Sequence, residues 1–533
     1  MIGNLSENQT DKKQQLGMRV YLFALIFYTA SLPLFDAGIS LGILVLIISW
    51  LFLGSFHMKW NHLKTDRLPW LLASIVLVYV AGFWVTEDLP RATRELIRSL
   101  YWLAFPVILS TAPVLTSKQI RLILFSFLSA LLLSAGITLY NLMRADPTDT
   151  FRFRQASLID HIPLAYMLSW AFWLILYQVF FGFASQWSWF KRLLALLTAG
   201  LFLLVLILQK AFTGYIFFVG ASLAALVFFL KLIHQKWIKY LLLLCCVLAL
   251  GLPPVYVVNC VQKFYRVTEY DPASIPLYTA SGNPYSHYFA DKSKENGNYV
   301  QLFVCHNELR EAWNQRSPMP FDTVWNGKDS LSWVLLRYMT SLGLRKDKEG
   351  MAALSDQDIA NVERGIPNPV YLNYKKSIYP RIYETIWEID QYRFNHTAND
   401  KSFAQRVELF RLGLYVISES PWLGAGTGNQ QVAYKRIAEK QKSRLQPERL
   451  GSPHNQYLAY LIKFGIIGTV WILFAIFWPF YKRKGYQNFA FSTFMAGFLF
   501  ANLGESNYET FIGMNFFGLF YCLMLWNFDL DRT

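Results

Sequence analysis

One short region of the chain collects the residue types that carry acid–base and anion-binding chemistry. His454 and Asn455 stand directly before a long apolar run, and Arg406 and Arg411 lie upstream of them. A neutral imidazole can accept a proton, and arginine offers a planar fork of donors that suits phosphate or carboxylate groups. An imidazole beside fixed cations at the start of a membrane-length run predicts chemistry on an anionic, lipid-attached substrate.

Each of these features also has a plainer interpretation when it is taken alone. Arg406 and Arg411 are equally typical of the solvated side of an amphipathic helix, where a surface charge contributes little. His454 is equally typical of an interfacial histidine near a helix end. The prediction of a site therefore depends on their coincidence with further cations expected on the same side of the membrane.

Two helices and a glycine-rich turn must position these residues. Apolar residues recur at intervals of three and four from Phe403 to Ile417, which predicts an amphipathic helix carrying both arginines. Pro421 and Gly424 are expected to end that helix and to return the chain toward the membrane. His454 is expected in the first turn of the apolar helix that follows.

The composition is typical of an integral membrane protein. Of 533 residues, 54% are hydrophobic and only 16% are charged. The formal net charge of +15 would suggest nucleic acid in a soluble protein, but here much of it marks topology, so no nucleic-acid partner is expected. We predict an all-α transmembrane bundle of about twelve spans, each able to cross about 30 Å of hydrocarbon. The predicted spans are residues 19–36, 38–56, 69–86, 96–112, 119–142, 158–182, 192–209, 211–231, 237–258, 455–480, 487–503 and 510–528.

Basic residues in alternate loops predict the orientation of the chain. Clusters such as 191–192 and 482–484 fall on one side, which the positive-inside rule makes cytoplasmic. Cations on the opposite side work against that rule, so some of them are expected to bind an anion. The alternative is that they are solvated or pair with nearby acids such as Asp88 and Glu95. These outer cations are Arg91, Arg94, Arg98, Arg144, Arg152, Arg154 and Lys210.

A hydrophilic region interrupts the apolar runs after Pro254. It is rich in aromatic residues and mixes both charge signs, which predicts a folded, mainly helical cap on the outer membrane surface. We expect three regions, residues 1–258 with about nine spans, 259–453 as an external insertion and 454–533 with about three spans. Cys260 and Cys305 would face an oxidising compartment there, either as a disulfide or as two unpaired thiols.

The order of these motifs resembles the O-antigen ligase and polymerase family. The shared order and spacing carry the resemblance more than any single motif does, and the order of spans is similar over nearly the whole chain. The matching residues are Gln405–Leu409 in the arginine-bearing helix, Ser420–Gly426 in the turn, His454–Leu458 at the start of the span and Gly465–Gly468 within it.

The resemblance implies a membrane-embedded glycosyltransferase of the GT-C class, surrounded by the lipids of the bacterial inner membrane and facing the periplasm. Such proteins take a glycan from undecaprenyl diphosphate without a metal or other cofactor, and an O-antigen ligase would pass it to lipid A-core. The resemblance assigns His454 as the base for the acceptor hydroxyl and Arg406 as a diphosphate ligand. Lys210 stands where relatives carry a serine–arginine pair. Further substrate-binding residues expected are Arg411, Asn455, Arg152 and Arg154.

Several other functions stay open at this point. A polymerase of the same family and a protein O-oligosaccharyltransferase differ from the ligase only in the acceptor. A transporter for lipid-linked sugars would also need outer cations and many spans, but it predicts charges near mid-membrane and two related halves. Because the unusual charges gather at one face, we favour the enzyme, with inversion of the anomeric centre.

Overall fold

The computed structural model describes residues 2–144, 156–325, 329–373, 377–395, 398–399 and 401–527. It divides into two compact units, residues 1–239 with 406–533 and residues 240–405, which we call the membrane unit and the insertion unit. The described α-helices are α1 (Ile2–Ser31), α2 (Asp36–Phe52), α3 (Phe56–Thr65), α4 (Leu68–Phe83), α5 (Leu89–Ser99), α6 (Tyr101–Thr111), α7 (Ser117–Arg144), α8 (His161–Phe180), α9 (Trp189–Gln209), α10 (Phe212–Leu232), α11 (Lys236–Tyr265), α12 (His306–Arg316), α13 (Leu331–Ser341), α14 (Lys348–Ala352), α15 (Asp356–Glu363), α16 (Val370–Asn373), α17 (Tyr379–Asn395), α18 (Ser402–Glu419), α19 (Gln430–Lys440), α20 (Gln456–Lys482), α21 (Phe489–Ala501) and α22 (Phe511–Trp526).

The helix composition is that of a multi-pass membrane protein, as predicted. Within the described residues, six helices are long and apolar enough to cross a bilayer, or seven if the pair α2 and α3, bent by 101°, counts as one span. Helices α4, α21 and α22 are apolar but shorter. Each predicted apolar run overlaps a helix, although the run 96–112 is divided between α5 and α6. The count of twelve spans stays a prediction, because several runs form helices shorter than a bilayer crossing.

An aromatic core joins the helices of the membrane unit. Trp170 of α8 is fully buried, and its ring centroid lies 6.1 Å from that of Phe127, 5.0 Å from that of Phe494 and 4.8 Å from that of Phe520. Its indole N–H donates to the carbonyl of Ala490 at 3.1 Å. Such packing holds neighbouring helices together where lipid is as apolar as the side chains. It also fixes α21 and α22, whose connecting loop contributes to the site.

The insertion unit combines most of α11 with shorter helices and two antiparallel strand pairs, in which residues 294–295 pair with 298–299 and residues 324–325 pair with 329–330. Its largest apolar cluster includes the buried side chains of Trp313, Leu335 and Met351. Helix α18 lies where the periodicity from Phe403 to Ile417 predicted an amphipathic helix. The compact unit spans residues 240–405, whereas the predicted insertion spans residues 259–453. The assignment of residues to the outside of the membrane stays a prediction.

Cys260 and Cys305, the two cysteines predicted to face an oxidising compartment, are free thiols. Cys260 and Cys305 are both buried, and they belong to two different apolar clusters, with Phe264 beside the first and Phe303 beside the second. Of the two alternatives left open by the sequence, the structure therefore has the unpaired thiols. A free cysteine behaves as a small apolar side chain, so burial among apolar residues is favourable for both thiols.

Candidate active site

The membrane unit contains a cleft of about 400 Å³ lined by charged side chains from three separate segments. Helix α5 contributes the arginines, α20 contributes Lys463, and the loop between α21 and α22 contributes two acids; we call these the arginine wall, the floor and the acidic wall of the cleft. Clefts with a few convergent polar groups are the usual places for substrate binding. The lining cations are Arg91, Arg94, Arg98 and Lys463, and the lining acids are Asp88, Glu95, Glu505 and Glu509.

A break in α20 lets the glycine-rich turn 421–426 dock onto this floor. Gly465 has φ 60° and ψ −166°, a conformation essentially restricted to glycine. The break releases helix carbonyls, and the turn satisfies them: the amide of Ala425 donates to Ile462 at 2.7 Å and that of Gly426 to Lys463 at 2.8 Å. In return the amide of Ile466 donates to the carbonyl of Pro421 at 2.8 Å.

The two glycine-containing motifs of the sequence, Ser420–Gly426 and Gly465–Gly468, therefore pack against each other as one structural unit. A Cβ atom on Gly424 would lie 2.5 Å from the amide nitrogen of Gly465, and a Cβ on Gly465 would lie 2.3 Å from the carbonyl carbon of Trp422. No side chain fits between backbones that approach so closely. The turn and the broken helix can meet only because both positions are glycine.

The residues that follow the turn fix the position at which α5 begins. The amide of Thr427 donates to the carbonyl of Gly82 at 3.0 Å. The side chain of Asn429 accepts from the amide of Glu87 and donates to the carbonyl of Val85, both at 2.7 Å. Asp88 then caps α5 by accepting from the amide of Arg91 at 3.0 Å, which begins the helix at a defined point.

The arginines of α5 recur at intervals of three and four and so share one helix face toward the cleft. Arg91 donates to the amide oxygen of Gln431 at 2.6 Å, and its Nε lies 3.5 Å from Glu95. Arg98 donates to the backbone carbonyl of Glu509 at 3.2 Å. Arg94 is exposed and has no ion pair or hydrogen-bond partner within the part of the chain that is described.

His454 forms a pair with Glu505, a carboxylate that lines the cleft. Its Nδ1 lies 3.0 Å from one oxygen of Glu505 and 3.1 Å from the other. The imidazole side chain is 37% exposed, whereas the Glu505 side chain is 11% exposed. A carboxylate that accepts from Nδ1–H leaves the lone pair of the neutral ring on Nε2. The pair is therefore arranged to take a proton from a substrate at Nε2 and to stabilise the imidazolium that forms.

Glu505 remains ionised in spite of its position. Burial raises the pKa of this carboxyl, but the hydrogen bond and charge of His454, the amide of Ser506 at 3.1 Å and the guanidinium of Arg406 at 3.8 Å together outweigh it. The pKa of Glu505 therefore lies below its ordinary value.

Arg406 and Asn455 support the same loop from two sides. Arg406 donates to the carbonyl of Gly504 at 3.0 Å, and Asn455 donates to the carbonyl of Leu503 at 3.1 Å. Asn455 also caps α20, since its side chain accepts from the amide of Leu458 at 2.9 Å. The predicted residues His454, Arg406 and Asn455 thus meet at the loop that carries Glu505.

A buried ion cluster lies at the floor of the cleft. The Nζ of Lys463 is 3.0 Å from Glu95 and 2.9 Å from Glu509, and the lysine side chain is 1% exposed. Burial raises the pKa of the Glu95 carboxyl, but Lys463, Arg91 and the amide of Gly428 outweigh it, so that pKa is lowered. One lysine of an apolar helix therefore joins α5, α20 and the loop before α22.

The comparison with known families agrees with the motifs at this cleft. Residues 369–474 match the O-antigen ligase family model (Wzy_C). The O-antigen ligase match confirms the resemblance drawn from the sequence, and the family covers ligases and polymerases, which are glycan-transferring enzymes. The matched range includes Arg406, the turn 421–426, His454 and Gly465. No curated protein sequence matches the chain.

Some predicted residues lie away from the cleft or beyond the described chain. Arg411 makes a two-point contact with Glu408, with both N–O distances 2.8 Å, and among described residues neither it nor Lys210 lines the cleft. Lys210 ends α9 in a left-handed conformation with φ 53°. Arg152 and Arg154 lie outside the described residues.

The expected place of His454 in a helix was wrong. Helix α20 begins at Gln456 and is capped by Asn455, so His454 precedes the cap and has φ 51°. The prediction assumed that the helix would begin directly after Pro453. Because the Asn455 side chain caps the helix, the imidazole is free to turn toward Glu505.

Several charged residues of the cleft were not assigned as site residues from the sequence, and all of them except Lys463 lie outside the O-antigen ligase match. The arginines of α5 had a signal, because they are clustered cations on the predicted outer side. Lys463 also had a signal in the sequence, because it is a lone charge in an apolar run. Glu505 had none, since two acids, Glu505 and Glu509, lie between the last two apolar runs and the sequence does not indicate which of them meets a histidine.

Proposed function

We propose that the cleft of the membrane unit transfers a glycan from undecaprenyl diphosphate to lipid A-core at the periplasmic face of the inner membrane, as an O-antigen ligase. The observation that carries the proposal is the pair of His454 and Glu505, in which Glu505 lines the same cleft as the arginines of α5. A base held by a carboxylate of the cleft and cations that can bind an anion are the two parts such a transfer needs.

The base acts on the acceptor. Nε2 of His454 takes the proton of the acceptor hydroxyl as its oxygen attacks the anomeric carbon, and the ionised Glu505 stabilises the resulting imidazolium. Base catalysis of this kind contributes roughly 10²- to 10⁴-fold to the rate. The proton leaves the imidazole after the new glycosidic bond has formed.

The arginines act on the leaving group. As the bond from the anomeric carbon to the diphosphate oxygen breaks, its electron pair passes to that oxygen, and the guanidinium groups of α5 balance the developing charge. Arg94 is the arginine best able to bind the diphosphate, since it is exposed and forms no ion pair or hydrogen bond within the described part of the chain. Attack from the side of His454, opposite the leaving group, inverts the anomeric centre. Among the described residues neither Arg406 nor Lys210 lines the cleft, so their assignment as diphosphate ligands stays a prediction, with Arg406 lying 3.8 Å from Glu505.

A polymerase of the same family is the alternative that shares every one of these residues, because only the acceptor differs. The banding of lipopolysaccharide from a deletion strain separates the two. Loss of all polymer from lipid A-core supports the ligase, and retention of a single repeat would assign the polymerase. Polymer that persists unchanged would contradict both.

The first prediction tests the base directly. His454→Ala should abolish transfer from a lipid-linked donor in detergent while leaving the thermal unfolding temperature close to that of the wild type, since the imidazole is partly exposed. His57→Ala is the matched control, because His57 is an exposed histidine of α3 outside the cleft. Normal transfer by His454→Ala would overturn the assignment.

A further inference from the structure

The buried lysine of α20 has a position that the transfer chemistry leaves unexplained. Lys463 is 1% exposed in a helix that is otherwise apolar around it, yet it lines the cleft and contacts two carboxylates at 2.9 and 3.0 Å. A charged group inside a membrane protein is costly, so it is retained where it serves a site. Its partner Glu95 belongs to α5 with the arginines, and its partner Glu509 belongs to the loop that carries Glu505.

The arginines compete with the lysine for these acids. The Nε of Arg91 already lies 3.5 Å from Glu95, and Arg98 already donates to the backbone of Glu509 at 3.2 Å. Without Lys463, two carboxylates whose side chains are only 12% and 20% exposed would lose their nearest cation, which is unfavourable. The nearest cations that could turn toward them are the two arginines at the ends of the α5 row.

The lysine is also held firmly in place by the backbone around it. Its carbonyl accepts from Gly426 at 2.8 Å, and the helix breaks two residues later at Gly465. The glycine-rich turn therefore fixes Lys463 and, through Asn429, the start of α5. This leaves the lysine little freedom to move toward a ligand in the cleft.

We infer that Lys463 is a positioning residue for donor binding: by engaging Glu95 and Glu509, it keeps Arg91 and Arg98 directed at the diphosphate. The inference rests on the proposed function and adds to it the residue that controls the arginine wall. Lys463 itself does not contact the donor in this scheme. Removing the lysine should therefore be harmful only as long as the two acids are present.

Binding of undecaprenyl diphosphate to the full-length protein in detergent tests this scheme. Lys463→Met should weaken binding roughly 10- to 100-fold, as for residues that orient the groups contacting a ligand, and should raise the KM for the lipid-linked donor more than it lowers kcat. Lys463→Arg, which preserves the charge, should recover most of the affinity. Lys435→Met is the matched control, because Lys435 is exposed on α19 and outside the cleft.

The triple variant Lys463→Met, Glu95→Gln, Glu509→Gln gives the decisive result. It should bind undecaprenyl diphosphate within about threefold of the wild type, because neutral partners no longer draw the arginines away. If Lys463→Met does not fold, the triple variant decides alone. A folded triple variant that binds weakly, or a triple variant that cannot fold, would overturn the inference.

The same measurements separate this inference from the proposed function. A wild-type protein that binds undecaprenyl diphosphate but transfers no glycan would contradict the proposed reaction, while the binding comparison would still test Lys463. A wild-type protein that transfers glycan while Lys463→Met binds normally would contradict the inference alone.

Discussion

At the scale of single residues, the pair His454 and Glu505 does what neither residue does alone. The carboxylate holds the imidazole by Nδ1, and the imidazole in turn helps to keep the buried carboxylate ionised. Arg406 reinforces the same carboxylate from 3.8 Å. The reactivity of the histidine therefore depends on a residue that lies 51 positions away in sequence.

The second prediction concerns that carboxylate. Glu505→Gln should lower kcat by roughly 10²- to 10⁴-fold, because the amide can no longer stabilise the imidazolium and can favour the wrong tautomer. The KM for the donor should change little, since Glu505 does not belong to the arginine wall. Glu439→Gln, at an exposed site on α19, is the control, and transfer by Glu505→Gln at the wild-type rate would refute the pair.

The third prediction concerns a lysine of the insertion unit. Lys346 is 2% exposed, and burial lowers its pKa to about 7 against the smaller opposing effect of Asp347. In the unfolded chain its pKa returns to about 10.4. Between about pH 7 and about pH 10 the unfolded state therefore binds the extra proton, and the stability of the unit rises with pH by at most about 1.4 kcal/mol per pH unit.

Thermal unfolding at pH 7, 8 and 9 measures that slope. Lys346→Met should reduce the rise in stability, and the exposed Lys348→Met should leave it as in the wild type. Below about pH 7 lysine is protonated in both states, so the difference between variants should become constant there. Equal slopes for the wild type and Lys346→Met would show that the buried amine does not titrate in this range.

At the scale of elements, the turn 421–426 and the broken helix α20 form the frame of the site. The turn satisfies the carbonyls that the break releases, and the residues after it hold the start of α5. The arginine wall and the base are therefore fixed by one backbone contact. A change at that contact should disturb both sides of the cleft together.

The fourth prediction tests this contact. Gly465→Ala should destabilise the membrane unit by about 2 kcal/mol or more, because alanine must adopt a left-handed conformation and its Cβ would lie 2.3 Å from the backbone of Trp422. Transfer should fall as well. Gly200→Ala is the matched control, since Gly200 lies in α9 with open space around its Cβ position, and a stable, active Gly465→Ala would contradict the close approach.

The fifth prediction concerns the arginine row of α5. Arg94→Ala should raise the KM for the donor roughly 10- to 100-fold, as expected for loss of a hydrogen bond to a charged group worth about 1.5–3 kcal/mol. Arg94→Lys should retain part of the affinity, because the charge remains while the planar fork is lost. Arg436→Ala, on the exposed side of α19, should bind normally. An unchanged KM in Arg94→Ala would place the diphosphate elsewhere.

At the scale of the whole molecule, the basic loops predict that the cleft opens on the periplasmic side. An impermeant thiol reagent tests this in a variant whose native cysteines have been replaced. Lys435→Cys should be labelled from outside in intact cells, and Lys191→Cys only after the membrane is opened. The reverse pattern would put the cleft on the cytoplasmic side, where the proposed reaction with the periplasmic acceptor is excluded.

The sequence by itself determined the parts of this protein that depend on local order. Apolar runs predict the helices, because a segment of the right length and composition must bury its backbone in a helix to enter lipid. The spacing from Gln405 to Gly468 predicts the turn, the histidine and the resemblance to the O-antigen ligase family, and the match over 369–474 confirms it. These signals lie within one continuous stretch of chain.

Only the tertiary structure decided which distant residues meet at the cleft. Glu505 comes to His454 through the packing of α21 and α22, and Glu95 comes to Lys463 through the docking of the turn on Gly465. Lys210 has the right charge and lies on the predicted outer side of the membrane, yet among the described residues it does not line the cleft. Contacts between helices depend on how their faces pack in three dimensions, and the spacing of residues along one chain does not encode that packing directly.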